Sequence, residues 1–198
     1  MNKSRLEAFS DGVIAIIITI MVLTLNVPHG TDFAALRPLV PVFLTYILSF
    51  IYTGIYWNNH HHLFQAVRQV NGRVLWANLH LLFWLSFIPF VTGWVGQSHF
   101  AAVPVFLYGI VFLFAALAYL ILSRSLITHN GRNSTLAVAV GADFKGKISI
   151  GFYVAGILLA FVVSWVAYLF YVFVAVLWLI PDRRIERVFN SQKQELFK

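Results

Sequence analysis

The chain has 198 residues, of which 60% are hydrophobic and only 11% are charged, whereas a soluble domain is about 45–50% apolar and about 25% charged. A chain this short cannot bury so much apolar surface in a water-facing globule, so the composition argues against a soluble enzyme and predicts an integral membrane protein. The net charge of +7 raises the question of a nucleic-acid partner, and the absence of cysteine excludes disulfides, thiol nucleophiles and cysteine-ligated metals.

Long apolar blocks follow one another along the chain. The last block runs from Ile148 to Ile180 without a charge, and as one helix it would be about 50 Å long, too long to cross about 30 Å of hydrocarbon once. We therefore divide it into two spans that turn near Ser164. The result is an all-α, six-helix membrane bundle that forms a single domain over residues 1–198, with spans at roughly 6–27, 38–62, 73–96, 103–125, 148–163 and 165–181.

The distribution of basic residues supports an even number of spans. With six spans, both termini and the connections 65–72 and 123–147 lie on one side, and that side carries every lysine and arginine except Arg37. The positive-inside rule assigns this side to the cytoplasm, so we expect a multi-pass protein of the cell membrane with both termini cytoplasmic. The net charge is then a signal of topology and of contact with the lipid bilayer, and no nucleic-acid partner is needed to explain it.

The first span contains an acid, Asp11, inside an otherwise apolar block. Acids within a membrane are costly and normally pair with another group or face water, and Arg5 lies nearby on the same helix. An interfacial charge cluster at a helix start explains the same residues equally well, because an acid there also favours the helix dipole. The residues alone leave both interpretations open.

Further along the first span, Ile16, Ile20 and Leu23 are spaced i, i+4 and i+7, so they form one straight face of a helix. Thr19 lies at the edge of this stripe. In most membrane helices such a stripe is lipid-facing or packing surface. The sharper hypothesis is a hydrophobic constriction that gates a pore by excluding water.

The second span ends in the run His60, His61 and His62. Successive residues of a helix point about 100° apart, so the three side chains cannot converge on one ion, and we expect a hydrogen-bonded interfacial His60 and no metal site. No catalytic pattern such as HExxH, GxSxG or a phosphate-binding glycine loop occurs, which predicts that the protein is not an enzyme.

The start of the first span, Arg5-x-x-x-Phe9-Ser10-Asp11, resembles the signature of the lysosomal/endosomal potassium channel family (transmembrane protein 175), in its prokaryotic form with one six-helix repeat. Three further blocks are similar to patterns of that family: Trp57-x-x-His60-x-x-Leu63-Phe64, Phe87-Ile88-Pro89-Phe90 and Ile180-Pro181-Asp182-Arg183-Arg184. The run of three histidines is richer in histidine than the family pattern requires.

The resemblance implies a potassium-permeable cation channel that conducts passively through a hydrophobic constriction on the axis of a homotetramer. The first helix of each subunit would line that pore, and monovalent cations would be its only ligands, without a cofactor. The residues implied for the constriction and its selectivity are Ile16, Thr19, Ile20 and Leu23. Those implied for a structural polar network are Arg5, Phe9, Ser10, Asp11, Trp57 and His60. The alternative hypothesis is a non-conducting membrane scaffold or a small transporter.

Overall fold

The computed structural model describes residues 3–67, 69–131, 134, 137 and 143–179. Within these ranges the regular elements are helices, so the prediction of an all-α protein is confirmed. In chain order they are α1 (Lys3–Val22), a 3₁₀ helix (Phe33–Leu39), α2 (Val40–Gln65), α3 (Gly72–Leu85), α4 (Ile88–Gln97), α5 (Ala102–Asn130), α6 (Phe144–Leu159) and α7 (Ser164–Leu179). The basic C-terminal tail and the block 180–184 lie outside the described residues.

Among the described residues, three helical segments are long and apolar enough to cross a membrane: Phe33–Gln65, Gly72–Gln97 and Ala102–Asn130. Helix α7 is apolar as well but shorter. Helix α1 ends at Val22, earlier than the expected end at residue 27, and turns and irregular chain lead from there to the 3₁₀ helix. These segments support a multi-pass membrane protein.

The second of these segments is divided into α3 and α4. The break lies at Ser86 and Phe87, just before Pro89 in the first turn of α4. Proline has no N–H group to donate to the preceding turn, so it ends α3 and is well tolerated at the start of α4. The hydroxyl of Ser86 donates to the carbonyl of Phe83 at 2.7 Å and satisfies one of the carbonyls left open there.

The uncharged run near the C-terminus is also divided into two helices. Helix α6 ends at Leu159, and the amides of Val162 and Val163 both donate to the carbonyl of Leu159 at 2.9 Å before α7 begins at Ser164. At the other end of α6, Asp143 accepts a hydrogen bond from the amide of Gly146 at 3.1 Å and caps the helix.

The centre of the bundle is aromatic. Helix α5 packs against α3, α4, α6 and α7, while α2 packs against α1, α4 and α7. The fully buried hydroxyl of Tyr52 donates to the backbone carbonyl of Tyr171 at 2.5 Å and ties α2 to α7. The ring of Tyr171 lies against Gly109 and Gly156, where any added Cβ would collide with it. Glycine is therefore required at both positions so that α5 and α6 can approach α7.

Helix α1 lies on the flank of the bundle and contacts α2, α3 and α4. One of its faces is buried by these neighbours; its residues are Leu6, Ser10, Ile14, Ile17 and Met21. We call this the inner face. The opposite face is not covered within the single chain, and it contains the residues of the apolar stripe.

Candidate functional site

The stripe identified by spacing lies on the uncovered face of α1. The exposed fractions are 59% for Ile16 and 46% for Ile20, and Leu23, in the turn directly after the helix, is 75% exposed. The amide of Leu23 still donates to the carbonyl of Ile20 at 3.1 Å, which extends the helical path to this residue. We call Ile16, Ile20 and Leu23 the outer stripe. Its side chains carry no oxygen, so they can act on an ion only through pore width and the exclusion of water.

Thr19 lies beside the outer stripe and is also exposed. Its hydroxyl donates to the carbonyl of Ala15 one turn back, at 2.9 Å. Since this bond uses the only hydrogen of the hydroxyl, the oxygen keeps lone pairs that can accept from water or contact a cation. Thr19 thus has an oxygen to offer beside the stripe.

A shallow apolar groove runs along the same side of the molecule, between α1 and α4. It is lined by Val13, Ile16, Ile17, Ile20, Thr24, Ser86, Pro89 and Phe90. Phe90 is 58% exposed in the single chain. The stripe and the groove together form a continuous apolar surface that lipid or another subunit can cover.

On its inner face, α1 is held by a buried chain of polar side chains. The amide of Asn78 on α3 donates to the hydroxyl of Ser10 at 2.9 Å, and its oxygen lies 2.8 Å from Nε2 of His60 on α2. The Ser10 hydroxyl donates in turn to the carbonyl of Leu6 at 2.9 Å. All three side chains are at most 2% exposed. These hydrogen bonds connect three helices, and each buried polar group depends on its partner to be satisfied.

A second polar contact joins α1 to α2 at the edge of the inner face. The indole Nε1 of Trp57 donates to Oδ1 of Asp11 at 3.0 Å, and both residues are exposed in the single chain. Trp57 stacks on His61, with ring centroids 5.9 Å apart. Asp11 therefore has an indole partner across the helix interface.

Two residues expected in the polar network lie apart from it. Arg5 is exposed, and among the described residues no hydrogen bond or ion pair connects it to Asp11 or Ser10. Phe9 is 55% exposed, on the same side of α1 as the outer stripe. The structure thus brings together Ser10 with His60 and Asp11 with Trp57, as two separate contacts.

The three consecutive histidines take different surroundings. His60 is buried against Asn78, whereas His61 is exposed and its Nε2 lies 2.7 Å from Nε2 of Gln65. His62 is half-buried, and its Nδ1 has no hydrogen-bond partner among the described residues. As the helical geometry predicts, the three rings diverge.

Residues 5–89, which include the outer stripe, Thr19 and both polar contacts of α1, match the model of the endosomal/lysosomal potassium channel TMEM175 family. Over 187 residues the chain is 60% identical to "Potassium channel HX13_20290" of Chryseobacterium sp. (strain P1-3), and the match covers 94% of this chain and 97% of that protein. The chain belongs to the TMEM175 family. The resemblance noted from its sequence motifs is confirmed.

Other TMEM175 relatives extend the comparison. The crystal structure of a lysosomal potassium-selective channel TMEM175 homolog from Chamaesiphon minutus superimposes with a TM-score of 0.77 and 28% identity, covering 90% of this chain and 96% of that chain. The human "Endosomal/lysosomal proton channel TMEM175" is 42% identical over 81 residues, which are 35% of this chain and 16% of that protein. The TMEM175 fold therefore extends over nearly the whole chain.

Asn78 is the site residue that sequence reasoning missed in this TMEM175 chain. It lies between Trp76 and Trp84 in an apolar helix, where an amide is costly to bury without partners. That cost is the available signal: a lone amide in a membrane span predicts a hydrogen-bonded contact between helices. The sequence alone does not say which side chains are the partners.

Proposed function

We propose that this protein is a potassium-permeable channel that conducts passively across a membrane. The observation that carries the proposal is the 60% identity, over nearly the full length of both chains, to a protein named as a potassium channel. The likeness to a potassium-selective TMEM175 homolog over 90% of the chain supports the same ion. The family consists of channels, which favours a non-enzymatic function.

The pore, in this proposal, lies on the axis of a homotetramer and is lined by the outer stripe of four α1 helices. The exposure of Ile16, Ile20 and Leu23 supports this arrangement, since such a stripe needs a cover that the single chain does not provide. The groove between α1 and α4 offers an adjoining apolar surface for a neighbouring copy. Closed rotational symmetry places the same face of every copy around one axis.

Conduction through such a ring depends on dehydration. Four Ile16 side chains would narrow the path without replacing the water of the ion, so an ion that loses water more readily passes more easily. Potassium holds its hydration shell less strongly than sodium because its radius is larger. The oxygen of Thr19, adjacent to the ring, would ease the step by contacting the partly dehydrated ion.

The buried chain Ser10–Asn78–His60 and the pair Asp11–Trp57 support α1 in this role. They lie on or beside the inner face, so they would set the rotation of α1 and leave the outer stripe directed at the axis. In the proposed topology the protein spans the cell membrane and both of its termini lie on the cytoplasmic side. It is supported by the basic residues, all of which except Arg37 fall on that side. An epitope at Lys198 that antibodies reach from outside intact cells would contradict this topology.

Flux from potassium-loaded liposomes tests the proposal. The purified protein is reconstituted, the liposomes are diluted into sodium-free and potassium-free buffer, and a pH-sensitive dye reports proton uptake once a protonophore is added. We expect dye quenching with a potassium gradient and weaker quenching with a sodium gradient. A scaffold would give none, and a transporter would give a flux that saturates with ion concentration and requires a counter-substrate.

The same assay tests protons as a second permeant ion. The matches to the vertebrate relatives cover 35–45% of this chain, and these relatives are named as proton channels. Proton permeation is therefore measured beside potassium permeation. Quenching before the protonophore is added would mean that the protein itself admits protons. Size-exclusion chromatography with light scattering on the same sample measures the subunit number, and a stable monomer or dimer would contradict the tetrameric pore.

A further inference from the structure

A cavity of about 310 Å³ lies within the single chain, away from α1. It is lined by residues of α2, α5, α6 and α7. Ligand pockets usually have about 300–1,000 Å³, and a cavity of about 150 Å³ already holds a benzene molecule. The space is therefore large enough for a section of a hydrocarbon chain.

The inner walls of this cavity are mainly aromatic. They include Tyr52 and Tyr153, which are almost completely buried, together with Tyr56, Tyr119 and Trp178. Tyr52 also stacks on Phe112, with ring centroids 4.1 Å apart. An occupant of the inner part must be largely apolar, because apolar atoms of aromatic and aliphatic side chains provide most of the lining.

The opposite end of the cavity is charged. Arg124, in the C-terminal part of α5, and Lys147, near the start of α6, both line it and are exposed. Asp143 lines it as well and is half-buried. Asp143 already accepts a hydrogen bond from the amide of Gly146 as the cap of α6. Neither Arg124 nor Lys147 forms an ion pair with another described residue. The positive charges of Arg124 and Lys147, with the partial positive charge at the N-terminus of α6, thus exceed the negative charge of Asp143 at this end of the cavity.

The cavity is also lined by a buried hydroxyl group that has no partner in the described part of the chain. Ser123, next to Arg124, lines the cavity and is only 3% exposed. Its hydroxyl has no hydrogen-bond partner among the described residues. A buried hydroxyl without a partner costs free energy, so a polar ligand group at this level would stabilise it. The other serine of the cavity, Ser149, is satisfied by the indole of Trp178 at 2.8 Å.

We propose that this cavity binds an anionic phospholipid, with part of an acyl chain between the tyrosines and the phosphate between Arg124 and Lys147. Basic pockets between membrane helices commonly bind acidic headgroups, and the apolar interior selects an amphiphile over a free anion. The site is separate from α1 and the outer stripe. It does not depend on the proposed ion conduction, because it can be tested on binding alone.

The test is native mass spectrometry of the delipidated full-length protein, titrated with phosphatidylglycerol or phosphatidylcholine of equal chain length. We expect saturable binding of phosphatidylglycerol, weakened about fivefold by Arg124→Gln or Lys147→Gln and about 25-fold by both, since each basic residue contributes comparably. Arg73→Gln is the matched control, because Arg73 is exposed near the start of α3 and does not line the cavity. It should leave the affinity unchanged.

A second variant fills the cavity without changing its charge. Ala116→Phe places a ring among the lining residues, and we expect it to abolish saturable lipid binding while retaining helicity and the elution volume of the wild type. Competition by inorganic phosphate alone, equal binding of phosphatidylcholine, or unchanged affinity in the double glutamine variant would each overturn the proposal. A wild-type protein that shows no saturable lipid binding would overturn the proposal as well, since water would then fill the cavity.

Discussion

The inner face and the outer stripe of α1 have nearly the same composition but different surroundings. Ile17 on the inner face is 3% exposed, whereas its neighbour Ile16 is 59% exposed. The inner face also contains Ser10, the one polar member, and three helices meet around it. The difference shows that hydrophobicity alone does not assign a role to a face of a membrane helix. A polar side chain with partners marks the side that is fixed within the chain.

The substitution of Ile17 by Asn should have the largest effect. It removes a fully packed side chain and buries an amide without a partner, so we expect a loss of at least about 3 kcal/mol in the free energy of unfolding. The measurement is the thermal unfolding midpoint of the detergent-purified protein together with its elution volume. A variant that melts like the wild type would show that the inner face does not stabilise the fold.

The same substitution at Ile16 should act on conduction and leave stability largely unchanged. Ile16 is exposed within the chain, so an amide there meets the pore water of the proposed tetramer and need not be buried unpaired. We expect higher potassium flux and a lower preference for potassium over sodium in liposomes. If Ile16→Asn leaves flux and selectivity unchanged, the outer stripe is packing surface and the pore lies elsewhere.

Removing the centre of the buried polar chain should have the next largest effect on stability. Asn78→Leu leaves His60 and Ser10 without this partner, at about 1–3 kcal/mol for each buried group that remains unsatisfied. Asn58→Leu is the matched control, since Asn58 is exposed. The thermal midpoint should fall for Asn78→Leu and stay the same for the control.

A double variant sharpens this prediction. Replacing both members of a buried hydrogen bond by apolar groups is often close to neutral. His60→Phe combined with Asn78→Leu should therefore recover part of the stability lost by Asn78→Leu alone. The single variant His60→Phe is measured as well. If the stability losses of His60→Phe and Asn78→Leu simply add in the double variant, the hydrogen bond of 2.8 Å between the two side chains carries no energetic coupling.

The pair Asp11–Trp57 should contribute less to the fold of a single chain, because both residues are exposed there. We expect Asp11→Ala and Trp57→Phe each to lower the yield of the proposed tetramer, because each removes the hydrogen bond between α1 and α2. The double variant should be no worse than either single one, as measured by quantitative size-exclusion chromatography. A changed ion selectivity in well-assembled Asp11→Ala would instead make Asp11 an ion ligand.

The sequence predicted the helical class, the family and the outer stripe, because each depends on composition, motif or spacing within one helix. It did not predict which network residues touch. Arg5 and Asp11 lie on the same helix, yet the partner of Asp11 in the described structure is Trp57 of α2. Spacing places a residue on a helix face, but the neighbour that this face meets is set by how the helices pack. Asn78 did have a signal in the sequence, as a lone amide in an apolar helix, but its partners His60 and Ser10 depend on the same packing.

The smallest effect should come from Thr19→Val, which keeps the shape of the side chain and removes only the hydroxyl. Because the Thr19 hydrogen is donated to the carbonyl of Ala15, its contribution to an ion is the outward oxygen, and valine cannot replace it. We expect a lower potassium-over-sodium preference in liposome flux, with stability within about 0.5 kcal/mol of the wild type. Thr128→Val is the control, since Thr128 on α5 is also exposed and its hydroxyl donates to the backbone carbonyl of Arg124 at 2.8 Å in the same way. Equal selectivity in both variants would assign potassium preference to the apolar stripe alone.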